Sequence, residues 1–313
     1  MKWYYIVLII FILLILLVLV TSYLCYKMAF YNNTKKKEKD DYEVYIPNDE
    51  IYECYKEVII NDIKDVEKLE GVDMYINSFD GLKLHAKYYE NIKGAPIEIM
   101  FHGYRGSARR DMSTGLKRAF KCGHNALLIS QRTSGKSEGH TISFGINEAK
   151  DCLRWIDLVI KTFGNDVKII ICGVSMGAAT VVTAAGYDLP KNVIGVLADC
   201  GFDTAEKIIK KTIKEKHLSP AIFYPFVKLG ARIYGKFNID ETSPLEACKK
   251  TKLPILFIHG DNDTFVPCSM SENMFNHCVS EKKKFVTIKN AGHAIAYLVD
   301  PENYIKEVVE FFN

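Results

Sequence analysis

The chain has no Cys-x-x-Cys pair, no closely spaced cysteine and histidine cluster, and almost no excess of either charge. Its nine cysteines are an odd number scattered singly, so neither the spacing of a zinc site nor that of a disulfide framework is present. They read as unpaired, mostly buried thiols, the usage expected of a domain kept in a reducing compartment. The 41 lysines and arginines nearly balance 38 aspartates and glutamates. No strong field therefore exists to attract nucleic acid or to repel anionic substrates, and nucleic-acid binding is set aside. Punctuation is also scarce early on: residues 42–70 contain no glycine and only Pro47. What is there is 313 residues with 48% hydrophobic content, enough for one large domain, or a domain and an appendage, without covalent staples.

Residues 3–20 carry no charge, and their apolar character continues through Leu24 to Lys27. A hydrocarbon core of roughly 30 Å needs about 20 helical residues, whereas the apolar part of a signal peptide has about 7 to 15. No small-x-small pair follows the run, and Leu24 and Tyr23 precede Cys25 where a lipoprotein signal would have small residues. Residues 1–26 are therefore expected to be a transmembrane anchor in a lipid bilayer, with Trp3, Tyr4, Tyr5 and Tyr23 as interfacial aromatics. Lys2 and the amino terminus lie upstream, and Lys27, Lys35, Lys36, Lys37 and Lys39 downstream. Counting positive charges puts the rest of the chain, residues 27–313, on the cytoplasmic side. Glu38, Asp40 and Asp41 dilute that cluster, so a solvated linker on the extracytoplasmic face remains open. Residues 27–71 are expected to be linker and helical approach segment.

From residue 72 to 313, short β-branched runs alternate with longer helical patterns, the signature of an α/β fold with a mostly parallel sheet covered by helices on both faces. Strands are expected at 74–79, 82–89, 96–101, 126–130, 167–172, 193–198, 253–259 and 284–288. The first two flank Asp80-Gly81, a dipeptide suited to a tight hairpin turn, and the later runs are apolar enough for strands buried on both faces. Helices are expected at 111–121, 146–163, 176–187, 270–278 and 301–312. Residues 203–250 interrupt the alternation with Pro220, Pro225, Phe223, Tyr224 and Phe226. They are expected to form either a lid over the crevice at the strands' carboxyl ends or an ordinary pair of surface helices.

The chemistry centres on Gly173-Val174-Ser175-Met176-Gly177, which follows an apolar strand and leads into a helix of small residues. That context is what a nucleophile elbow requires: the turn is sharp, the glycines keep side chains out of the crossing, and the serine Oγ stands above the sheet at a helix N-terminus. A serine needs a base and a group to orient it. The strand ending at His259 opens into Gly260-Asp261-Asn262-Asp263, and Asp263 is the expected acid, with Asp261 and Asp199 as rivals at strand ends. His293, in Asn290-Ala291-Gly292-His293, follows the last strand and is the expected base. Oxyanion donors are expected from the Met176 N–H and, in the turn of residues 101–107, the Tyr104 N–H. Arg105 reads as a solvated loop residue or a contact for a substrate carboxylate.

Asp80-Gly81, His102-Gly103-Tyr104, the run Gln131-Arg132 to Gly135, Ser137 and Gly139, the GxSMG elbow, His259 to Pro267 and Ala291-Gly292-His293 occur in order. Over residues 74–313 the chain thereby resembles the α/β-hydrolase superfamily, in particular membrane-anchored or exported bacterial serine hydrolases related to prolyl-oligopeptidase-like and monoacylglycerol-lipase-like enzymes. The resemblance implies a Ser175, Asp263, His293 triad, oxyanion amides at Tyr104 and Met176, and hydrolysis of an ester, thioester or amide. It implies no metal or organic cofactor. Where many relatives carry Asp-Arg-Gly-His after the fourth strand, this chain has Gln131-Arg132-Thr133-Ser134, a departure read as structural. The expected activity is cleavage of carboxylic esters or thioesters through an acyl-enzyme on Ser175, which the aromatic insertion and the bilayer suit. A peptidase for short peptides, with Arg105 or Glu206 holding a charged terminus, and a catalytically silent binding module are the alternatives.

Overall fold

A computed structural model describes residues 2–33 and 50–312. The lysine-rich part of the expected linker, Lys35 to Lys39, lies outside the described residues. The helices in chain order are α1 (Trp3–Ala29), α2 (Glu50–Glu53), α3 (Lys56–Glu67), α4 (Ala108–Lys121), α5 (Ile146–Phe163), α6 (Met176–Ala184), α7 (Ala205–Glu215), α8 (Pro220–Ile233), α9 (Pro244–Cys248), α10 (Cys268–His277), α11 (Ala296–Val299) and α12 (Pro301–Phe312). The strands are β1 (Val72–Asn77), β2 (Lys83–Tyr89), β3 (Ile97–Phe101), β4 (Asn125–Ser130), β5 (Ile169–Val174), β6 (Val193–Asp199), β7 (Ile255–Gly260) and β8 (Lys283–Ile288). They form one sheet in the order β1-β2-β4-β3-β5-β6-β7-β8. The β1–β2 hairpin and the β2–β4 pair are antiparallel, and every later pair is parallel.

The periodicities explain this arrangement. β3, β4 and β7 are buried along their whole length, as unbroken apolar strands between two helical layers must be. The hairpin turns where expected, with Gly81 at φ 86° and the Ser78 amide donating to the Leu82 carbonyl at 2.8 Å. Because β3 and β5 to β8 run parallel, the loops after them gather at one end of the sheet, where ligand sites of open α/β sheets form. α4 is tied beneath that end by a buried fork: the Arg118 guanidinium donates to both Glu98 oxygens, at 2.5 and 2.6 Å, and the His124 ring to one of them at 2.8 Å.

α1 departs from the expected boundary. It is long and apolar enough to cross a membrane, and its first two thirds are almost entirely exposed. The helix runs to Ala29 rather than stopping near residue 26, and residues 27–33 are not linker. Tyr26 is buried and Phe30 has no exposed surface; Phe30 meets Phe144 and Phe237 edge to face at 5.8 and 5.2 Å. α1 crosses α8 where Gly230 lies, and a Cβ there would overlap the Ser22 carbonyl, so glycine is what allows the two backbones to approach. The last carbonyls of a helix lack intrahelical donors. Here the Tyr104 hydroxyl donates to the Ala29 carbonyl (2.8 Å), and Arg105 to those of Met28 (2.9 Å) and Tyr31 (3.1 Å), a cation at the negative end of the helix dipole. Arg105 is thus an exposed loop residue, as expected, whose guanidinium also caps the end of α1.

Candidate active site

β5 delivers Ser175 into a turn with φ 56° and ψ −118°, a conformation that costs a non-glycine residue energy and persists only where the surroundings impose it. They do so here: a Cβ on Gly177 would overlap the Phe101 carbonyl, so α6 lies against the end of β3. The Ser175 amide donates to the Asp199 carbonyl at 2.9 Å. The loop after β8 brings His293 over the elbow. The Ser175 hydroxyl lies 2.9 Å from His293 Nε2 and can donate to it, while His293 Nδ1 is 2.7 Å from Asp263 Oδ2 and donates to that carboxylate. Phe265 stands edge-on to the imidazole at 5.1 Å, and the Tyr52 hydroxyl, on α2, donates to the His293 carbonyl at 2.7 Å.

Asp263 is fully buried yet well supplied with donors. The Phe265 and Val266 amides reach Oδ1 at 2.9 and 2.8 Å, and His259 Nε2 reaches Oδ2 at 3.1 Å. Burial alone would raise its pKa, but the hydrogen bonds from His259 and His293 outweigh it and bring the carboxyl down to about 2. Asp263 is therefore the carboxylate that meets the imidazole. Asp261 instead accepts the Asn290 amide at 2.6 Å and fixes the turn before His293. Asp199 accepts from the Tyr304 hydroxyl at 2.9 Å, and burial raises its pKa.

Since the Asp263 pKa is lowered on folding, the stability it contributes is fully present above about pH 4 and is lost as the pH falls through about 2. The gap in unfolding free energy between the wild type and Asp263→Asn is expected to narrow by about 1 kcal/mol between pH 6 and pH 3. Urea titrations at the two pH values measure it, and a constant gap would contradict the assignment.

Tyr104 follows β3 in a tight turn, in which the Gly106 amide donates to the Gly103 carbonyl at 3.1 Å, and Met176 is the first residue of α6, where amides have no intrahelical acceptor. The turn is braced from below. The Gln131 side-chain amide donates to the His102 carbonyl at 2.6 Å, the Ser134 hydroxyl to the Gly106 carbonyl at 3.0 Å, and the Gln131 backbone amide to His102 Nε2 at 3.2 Å. Burial lowers the His102 pKa, which suits an imidazole accepting that proton. The Gln131 departure thus falls on a support for the candidate oxyanion turn.

Two cavities meet at Ser175. One, about 240 Å³, includes Tyr52, Gly103, Arg110, Asp111, His293 and Tyr297 in its wall. The other, about 330 Å³, is lined by apolar residues of α1, α7 and α8. Ser175, Tyr104 and Phe265 belong to both. Glu206, offered as a holder of a peptide terminus, is exposed, pairs with Lys210 and lines neither.

A sequence model of the prolyl oligopeptidase family matches residues 141–313, more than half of the chain and the stretch that holds the elbow, the acid and the base. The chain belongs to the prolyl oligopeptidase family. This family member is also similar to the uncharacterized protein YqkD of Bacillus subtilis, 28% identical over 61% of this chain and 63% of YqkD, just under two thirds of that relative's length. Among solved structures it resembles the Pyrococcus furiosus esterase Pf2001 (23% identity, 79% of this chain and 93% of that one, TM-score 0.64) and the Pyrococcus horikoshii acylaminoacyl peptidase (18%, 80% and 42%, TM-score 0.54). At those identities the likeness is one of fold. Family and fold together make the protein a serine hydrolase of the α/β type.

Three neighbours of the site escape a reading of this prolyl oligopeptidase family sequence as motifs. His259 looks like a strand-end histidine beside glycine, yet it donates to Asp263 and to the Val266 carbonyl. Tyr52 lies in an approach segment with no motif. Cys200, at φ 47°, follows the acid-bearing rival Asp199 and lies within 4.8 Å of Asp263 and His293, with burial keeping its thiol protonated.

Proposed function

We propose that the protein hydrolyses carboxylic esters at Ser175 while α1 holds it in a membrane. The observation that carries this reading is that Ser175 lines both a mostly apolar cavity of about 330 Å³ and one of about 240 Å³ with polar groups in its wall, room for an acyl chain on one side and an alcohol on the other. In the forward step Ser175 Oγ bonds to the carbonyl carbon as its proton passes to His293 Nε2. The tetrahedral oxyanion is held by the Tyr104 and Met176 amides. The carbon–oxygen bond to the alcohol breaks, and His293 returns the proton to that oxygen. A water, deprotonated by the same imidazole, then releases the acid and restores the serine. Throughout, Asp263 fixes the imidazole's orientation and stabilises its charge.

The burial of Tyr26 and Phe30 within the domain favours a retained anchor over a cleaved signal, and the downstream lysines favour the cytoplasmic face. α7 and α8 act as the lid over the apolar cavity. The family and the acylaminoacyl peptidase likeness favour a second reading, cleavage of short peptides.

p-Nitrophenyl esters from acetate to palmitate, assayed beside aminoacyl p-nitroanilides with the full chain in detergent, separate the two. Ester kcat/KM is expected to exceed anilide kcat/KM by at least tenfold. A preference for anilides establishes the peptidase instead.

A further inference from the structure

We propose that the 330 Å³ cavity is an acyl-chain site for chains of roughly ten carbons, that its outer wall is the membrane helix itself, and that the chain reaches Ser175 from the bilayer along α1; this deepens, and rests on, the ester reading above. A mostly apolar cavity of about 330 Å³ is the size of a site for a medium-length acyl chain, on the order of ten carbons rather than two.

The wall is periodic. Thr21, Leu24, Cys25, Met28 and Ala29 line the cavity, at spacings of three and four that put them on one face of α1. The neighbouring face, Ser22, Tyr26 and, just beyond the helix, Phe30, is buried in the domain. The last turns of α1 thus dock on one side and enclose the cavity on another. Opposite them stand Ile209 and Ile213 of α7 and Phe223 and Val227 of α8, with Ser175 and Met176 at the inner end.

The rest of α1 fixes where this space lies. The 18 residues from Trp3 to Val20 rise about 27 Å, close to the roughly 30 Å of a hydrocarbon core, and almost all of them are exposed. The cavity therefore begins where the span ends. Its rim carries Leu24, Met28 and Leu218, all exposed, beside the exposed Ile222 at the start of α8. Lys216, which lines the cavity, is exposed after the last turn of α7, as is Lys214 within it, while the exposed Glu215 between them pairs with Lys211. An apolar edge flanked by lysines suits a surface resting at the headgroup layer. A chain already in the bilayer can slide along α1 into the cavity and present its carboxyl ester to Ser175 with little contact with water.

The test is the chain-length profile of the full chain and five variants in detergent. Wild type is expected to peak near ten carbons. Cys25→Trp on α1 and Val227→Trp on α8 each fill the space and lower the decanoate-to-acetate ratio of kcat/KM at least tenfold. Phe223→Ala opens it and moves the optimum to longer chains, a gain that a misfolded protein cannot show. Leu17→Trp, on the exposed stretch, keeps the wild-type ratio. A flat profile overturns the proposal, as does an unchanged ratio in Cys25→Trp even if Val227→Trp lowers it, because α1 would then be no wall. Equal ester rates in wild type and Ser175→Ala would instead overturn the underlying ester reading. For the route, a decanoyl ester held in vesicles by a second, oleoyl chain is expected to be cleaved in vesicles that contain the enzyme and spared in enzyme-free vesicles mixed with them. Equal loss from both populations, or none from either, overturns delivery from the bilayer.

Discussion

Replacing Ser175 by alanine is expected to lower kcat for ester hydrolysis by about 10⁵-fold to 10⁶-fold, leaving a background of direct attack by water no larger than the amides at Tyr104 and Met176 can sustain without a nucleophile. The size of the effect follows from the geometry. The hydroxyl, the imidazole and the carboxylate form one row with contacts of 2.9 and 2.7 Å, so they act as a unit and losing the first member idles the other two. KM is expected to change much less than kcat, because the cavities on either side of Ser175 keep their walls. Steady-state kinetics on the preferred ester measure both constants. A loss below tenfold would mean that another group performs the chemistry. The substitution also removes a hydroxyl without touching the glycines that shape the turn, so circular dichroism of the variant is expected to match the wild type.

Phe30→Ala is expected to destabilise the domain by about 3–5 kcal/mol, the usual range for emptying a fully buried aromatic site. With about 2–4 °C per kcal/mol for a domain of this size, the melting temperature falls by roughly 6–20 °C. The site has little freedom to collapse, since Phe144 and Phe237 meet the ring edge to face and the backbone on both sides is pinned: the Phe30 amide donates to the Tyr26 carbonyl and the Phe30 carbonyl accepts from Ile142, each at 2.8 Å. Phe11→Ala, on the exposed part of α1, is the matching control and is expected to leave the melting temperature of the domain within about 2 °C of wild type. Thermal unfolding of the full chain in detergent, followed by near-ultraviolet circular dichroism, checks both. Equal shifts in the two variants would mean that the end of α1 is not part of the domain. A truncated protein without residues 1–33 would lack Tyr26, Phe30 and the α1 wall of the apolar cavity, so an assay on it would report on an opened cavity.

The strands, the hairpin and the elbow were readable because each rests on local chemistry. Apolar runs such as residues 253–259 have one stable environment, and Gly-x-Ser-x-Gly between a buried strand and a helix has few other uses. The ends moved by up to three residues, as at α4, which starts at Ala108 because Ser107 caps it by accepting from the Arg110 amide at 3.1 Å. Asp263 is the acid expected from the sequence, with Asp261 and Asp199 as rivals because all three follow strands; their different partners, His293, the Asn290 amide and the Tyr304 hydroxyl, are what separate them in the structure. Less readable still was the docking of α1. Tyr26 and Phe30 lie four residues apart, the spacing of one helix face, but aromatics near the end of a membrane span have an interfacial explanation that does not involve a protein partner. Gly230 gave no sign either: a glycine in a helical pattern shows a close approach only when the approaching backbone is known. Arg105 and Gln131 were legible as polar loop residues and no further, because their acceptors, the carbonyls of Met28, Tyr31 and His102, come from segments distant in sequence.

The most direct test of the central claim is the position of covalent labelling by a fluorophosphonate, which reacts with a serine only when a neighbouring base has activated it. Full-length protein treated with the probe, digested and mapped by mass spectrometry is expected to carry a single adduct on Ser175, lost in His293→Ala as well as in Ser175→Ala. An adduct on another serine, or an unlabelled protein that still hydrolyses esters, would contradict the assignment of Ser175 as the nucleophile.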